Sequence, residues 1–197
     1  MSSYEFQPAK SFVAKLYWQP DDAPGNVSAV GDTGNGDSPF TSGGWLHADE
    51  DNYTNHWAAE HVIARRKFRT LFWFGGYETD GEWDFEIRAA QDEQNHPHWQ
   101  RRNHRLDVSR NGYLALYSAS EPAGHDPLAA ASMLWRLEGL DMAKVKVGAF
   151  IANLRLVSLH GKIVKRLVED DFPYLSEEQG QHGCLALKIV RTGCAAP

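Results

Sequence analysis

Single-residue alternation of apolar and polar side chains recurs in short stretches along this chain, and it has the period of a β-strand. Phe12 to Trp18 alternates in this way, and Pro20 to Asn26 then supplies two prolines and a glycine that end the strand. Lys67 to Phe74 and Glu82 to Arg88 follow, with Gly75-Gly76 to Gly81 expected to turn between them. In the second arm Trp83, Phe85 and Ile87 fall on one face, while Glu82, Asp84 and Glu86 fall on the other. Leu134 to Glu138 and Leu185 to Ile189 read as two further strands. Gly31 to Pro39 is rich in Gly, Asp, Asn and Ser and reads as loop. The stretch from Asp51 to Arg66 predicts one short helix, with Asp51 or Thr54 as its N-cap.

A short phrase occurs twice in the second half. Val108-Ser109-Arg110-Asn111-Gly112 and Val157-Ser158-Leu159-His160-Gly161 each run an apolar alternation into a tight turn, and their glycines stand 49 residues apart. Val27-Ser28 to Gly31 carries the same Val-Ser-x-x-Gly core. Ile87, Leu137 and Ile189, each in an aromatic or aliphatic closing strand, are spaced by 50 and 52. Together these marks predict three units of about 50 residues, each too small to bury its own apolar face and therefore sharing one core.

In these residues the chain resembles the β-trefoil, and within it the fascin-like, actin-crosslinking kind. Leu154 to Lys165 with its His160-Gly161-Lys162 turn, then Tyr174 to Ser176, then Leu185 to Ile189, is most similar to such a unit. The resemblance implies an all-β domain spanning residues 1–197, with units at about 10–90, 100–140 and 145–192 and an insertion over residues 19–66 of the first. A jelly roll, or double-stranded β-helix, is the alternative. No Gln-x-Trp triplet occurs, so the sugar sites of the ricin-B type are not carried over.

The 197 residues carry a net charge of −6, which argues against a phosphate backbone as partner. No apolar run reaches the ~20 residues that span a bilayer. The N-terminus has neither a basic nor an apolar signal region, so a cytoplasmic location is expected. Cys184 and Cys194 read as thiols, and the Asn26 and Asn52 sequons as accidents of composition.

Two constellations point to chemistry. His96 to Arg105 is the one basic, aromatic-rich stretch, and its His98, Trp99, Arg101, Arg102 and Arg105 suit carboxylates, phosphates or sugar faces. Trp45 adds an indole at a strand end. These six residues are the expected ligand-binding set of a protein that does not catalyse, needs no cofactor, and recognises a glycan or a protein surface, the latter such as the actin surface of the resembled family. The alternative begins at His47-Ala48-Asp49. With His98 or His104 as a distant third ligand, His47, Asp49 and His104 have the sequence form of the facial triad of an iron(II)- and 2-oxoglutarate-dependent oxygenase, and Arg110 would hold the co-substrate carboxylate. Asp32 to Asp37 and Asp49 to Asp51 offer oxygen ligands without EF-hand spacing and read as solvated turns.

Overall fold

The computed structural model describes residues 4–19, 25–29, 45–50, 70–92, 102–117, 134–169 and 172–197. The expected helix at Asp51 to Arg66, the loop at Gly31 to Pro39, and His98, Trp99 and Arg101 lie outside them.

Among the described residues thirteen strands follow in order: β1 (Glu5–Phe6), β2 (Phe12–Gln19), β3 (Gly25–Ala29), β4 (Leu46–Glu50), β5 (Phe72–Thr79), β6 (Glu82–Ala89), β7 (Arg105–Val108), β8 (Leu114–Tyr117), β9 (Leu134–Glu138), β10 (Phe150–Ser158), β11 (Lys165–Glu169), β12 (Phe172–Ser176) and β13 (Cys184–Thr192). The described chain is all-β, and every strand pairing is antiparallel.

Six strands close into a ring, in the order β2, β5, β6, β9, β10, β13 and back to β2. Closure removes the unpaired edges that six short strands would otherwise expose. Three hairpins, β3–β4, β7–β8 and β11–β12, lie off the ring. After β1, the described strands fall into three successive groups of four, β2–β5, β6–β9 and β10–β13, in which the outer two join the ring and the inner two form a hairpin.

The pairing inside the ring repeats with each group. Leu16 opposes Leu187, Ile87 opposes Phe74, and Leu156 opposes Leu137. All six side chains are buried in one cluster that fills the ring. The same cyclic order governs the third strands of the groups, where Trp45 bridges Ala115, Tyr113 bridges Ser176, and Tyr174 bridges His47. Leu46, Leu114 and Leu175 stand between these bridging residues and are fully buried, so the three hairpins plug the ring with one leucine each.

The structure corrects the phase of the repeat. Trp83 to Ile87 opens the second group as β6 and does not close the first; the closing strand of the first is β5. Nor do the two copies of the Ser-x-x-Gly phrase occupy equivalent joints. Gly112 lies in the turn from β7 to β8, a second-to-third-strand connection, whereas Gly161 lies between β10 and β11, a first-to-second one. Gly75 and Gly76 sit inside β5, and the turn is at Asp80-Gly81, where both residues take positive φ. A Cβ at Gly75 would run into the Trp73 indole, so the glycine makes room for a ring folded back over its own strand.

Candidate functional site

Of the expected binding residues, Trp45, Arg102 and Arg105 are described, and they sit on different segments of the fold. Trp45 is half-buried, edge-on to Tyr113 at 5.8 Å and to Tyr174 at 6.5 Å, and Tyr113 and Tyr174 meet at 5.1 Å. It belongs to an aromatic cluster where the three hairpins meet. Arg105 turns toward the buried Glu86, with 3.5 Å between guanidinium and carboxylate. The same Glu86 oxygen is held by Arg88 at 2.7 Å, and Arg88 in turn reaches Asn103 at 2.8 Å. The charge of Arg105 therefore serves a buried carboxylate on the outer side of β6. Arg102 is exposed in the turn before β7.

Of the alternative metal triad, His47 and Asp49 share β4, while His104 stands just before β7. His47 is fully buried in β4, its ring 5.5 Å from Phe172 and edge-on to it. The Asp49 side chain lies outside the described residues, and His104 sits ahead of β7, where its carbonyl accepts from the Ala89 N–H. Among the described residues, no three His, Cys, Asp or Glu side chains come together as metal ligands.

A pocket of about 250 Å³ lies where the second and third groups of strands meet. Asp107, Val108 and Ser109 reach it from the end of β7, Leu134 and Trp135 from the start of β9, Ser158, Leu159 and His160 from the end of β10, and Glu177 from the segment after β12. Both copies of the repeated phrase therefore line one pocket, although they are different joints of the fold.

Each wall is built by local hydrogen bonding. In the first copy the Ser109 N–H donates to Tyr113 O at 2.7 Å, and the Gly112 N–H to Ser109 O at 2.9 Å. In the second the Ser158 N–H donates to Lys162 O, and the Gly161 N–H to Ser158 O, both at 2.9 Å. Gly112 and Gly161 take φ of 84° and 74°, the left-handed region that closes such turns. Trp135 pairs directly with Ser158 across β9 and β10, and its indole N–H donates to Leu106 O at 3.3 Å, which fixes the ring as a wall. Ser176 Oγ accepts from the Glu178 N–H at 3.1 Å and holds the loop that carries Glu177.

The serines then differ. Ser109 Oγ accepts from the Tyr113 N–H at 3.0 Å, while Ser158 Oγ is buried with no hydrogen-bond partner. Glu177 Oε2 is likewise buried and without a partner. Its other oxygen lies 3.8 Å from Lys162, beyond hydrogen-bond length, and Lys162 is itself hydrogen-bonded to Glu178. That bond holds the Lys162 ammonium above its usual range and the Glu178 carboxyl below its own. Ser158 and Glu177, each more than nine-tenths buried, thus bring two polar atoms without hydrogen-bond partners to the lining of one concave space.

Asp107, Ser109, Ser158, His160 and Glu177 were not among the residues expected from sequence. The Ser-x-x-Gly turns were the visible signal for four of these five, because each lies in or beside a copy of the phrase; Glu177 arrives from another strand and left no local mark. Among the described residues no helix is long and apolar enough to cross a membrane. Comparison of the chain with protein-family models, with curated proteins and with solved structures finds no match.

Proposed function

We propose that the chain is a non-enzymatic β-trefoil module that binds a glycan in the pocket between its second and third units. The threefold recurrence of strand pairing, with a closed six-stranded ring and three hairpins meeting at Leu46, Leu114 and Leu175, supports the fold reading.

The observation that carries the ligand reading is that Ser158 Oγ and Glu177 Oε2 are each buried without a partner in residues that line the same pocket as Leu134 and Trp135. A carboxylate oxygen accepts only, so the ligand must bring donors. A sugar ring presents hydroxyl donors at its edge and an apolar C–H face to a wall, which matches both halves of the lining. Pockets for drug-sized ligands start near ~300 Å³, so about 250 Å³ suits one sugar ring better than an extended chain.

Glycan-array binding followed by titration calorimetry on the wild-type protein and Ser158→Ala tests this. Saturable binding that weakens in the variant is expected. A blank array, or binding indifferent to Ser158, overturns the pocket reading; cosedimentation with actin filaments in that case would move the ligand to a protein surface.

A further inference from the structure

We infer that the sugar taken by this pocket is a cationic amino sugar, its ammonium seated on Glu177. The inference rests on the glycan reading above and adds the charge of the ligand.

Glu177 is only 8% exposed, its Oε2 has no hydrogen-bond partner, and among the described residues the cation beside its other oxygen is Lys162, at 3.8 Å and beyond hydrogen-bond length. Lys162 is drawn away by Glu178, and Lys165 Nζ donates to the Glu178 carbonyl at 3.0 Å, so the two lysines of this turn are engaged on the neighbouring residue. On the facing wall Asp107 contributes a second carboxylate, whose Oδ1 accepts from the Val108 N–H at 2.7 Å. The described residues that line the pocket thus bring two carboxylates and one imidazole, from His160, and neither Lys nor Arg. A buried carboxylate gains most from a charge-assisted hydrogen bond, and a neutral hydroxyl supplies less than an ammonium does.

The free amine of a lysine side chain carries the same charge. It has no hydroxyls for Ser158 Oγ and Ser109, and no ring to lie along Trp135 and Leu134, so the lining favours the sugar.

The test is calorimetric titration with a glucosamine oligosaccharide and with its N-acetylated counterpart of equal length, using wild-type protein and Glu177→Gln. Circular dichroism first establishes that the variant is folded. The wild type is expected to bind the free-amine oligomer about tenfold more tightly, the effect of one charge-assisted contact. Glu177→Gln is expected to abolish that preference, whatever it does to the affinity common to both oligomers, and a preference that survives in the variant overturns the seating on Glu177. Equal affinities in the wild type overturn the amino-sugar inference and leave the glycan reading standing. Binding of neither oligomer overturns both. Displacement of the glucosamine oligomer by a lysine-rich peptide at equal concentration overturns the sugar in favour of a basic peptide.

Discussion

The carbonyl oxygen of Gly112 accepts a hydrogen bond from the backbone N–H of Glu177 at 3.0 Å, tying the turn between β7 and β8 to the segment that carries the buried carboxylate of the pocket. The approach is close enough that a Cβ at Gly112 would enter the space of the Glu178 side chain, and the backbone there has φ of 84°. Gly161 has a similar φ of 74° with open space where its Cβ would stand. Gly161→Ala is therefore expected to cost the left-handed strain alone, about 1 kcal/mol, and Gly112→Ala about 1–2 kcal/mol more through the collision. Urea denaturation of the two variants checks the order. Gly112→Ala should also weaken ligand binding, because it displaces the backbone on which Glu177 stands.

Ser158 sets stability against binding. Its backbone N–H donates to Lys162 O, and alanine keeps that bond; the hydroxyl is buried with no partner in the free protein. An unpaired buried polar group is destabilising, so Ser158→Ala is expected to raise the unfolding free energy by about 1 kcal/mol. Binding should move the other way. A destabilised variant would mean that the hydroxyl is already satisfied in the free protein.

The strands were legible because alternation survives wherever one face is buried. Trp83, Phe85 and Ile87 read correctly as one face of a strand, and β2 runs from Phe12 to Gln19 much as the pattern of Phe12 to Trp18 requires. The phase of the repeat was not legible. The residues that are equivalent by pairing, Leu16, Ile87 and Leu156, are 71 and 69 apart, whereas Phe74, Leu137 and Leu187 are 63 and 50 apart. Connections of unequal length break any fixed period. Core volume is also shared among groups: by the same register Ala14, Phe85 and Leu154 hold one position with three different sizes, which erases residue identity. The 49-residue spacing of Gly112 and Gly161 came from two copies of one turn at different joints. The turn chemistry marks the pocket, while Glu177 joins it through tertiary contacts, with Gly112 of one turn and Lys162 of the other.

Tyr77 gives a pH dependence. Burial, followed by the negative charge of Glu86, pushes its phenol above the usual 10.0. A group whose folded-state pKa is raised holds its proton more tightly in the native protein, so its contribution to stability is complete below the unfolded value of 10.0 and falls as pH rises through the folded value. Stability is expected to decline on the alkaline side of pH 10, and Tyr77→Phe should make that decline shallower. Tyr117 is raised as well, first by burial and then by Asp107, so part of the decline should remain in the variant. Chemical denaturation of both proteins across that range reads the difference in slope, and identical slopes would remove Tyr77 from the account.

Leu46, Leu114 and Leu175 test whether the three hairpins close the ring as equivalents. Each lies between two residues that bridge to the neighbouring hairpins, and each is fully buried in the cluster that contains Leu16, Ile87 and Leu156. Truncating a leucine in such a position removes its transfer free energy and leaves a cavity, for about 2–5 kcal/mol according to how far the surroundings collapse. The three surroundings share the same pairing geometry, so Leu46→Ala, Leu114→Ala and Leu175→Ala are expected to lose similar amounts, within about 1 kcal/mol of one another. Because the leucines belong to one buried cluster and their flanking residues bridge one another, their losses are expected not to add: a double variant such as Leu114→Ala with Leu175→Ala should lose less or more than the sum of the singles by over ~0.5 kcal/mol, as neighbours sharing a cavity do. Denaturant unfolding of the singles and that double measures the coupling. Strict additivity would mean that the hairpins do not pack on one another there, and it would remove the support these residues lend to a threefold plug.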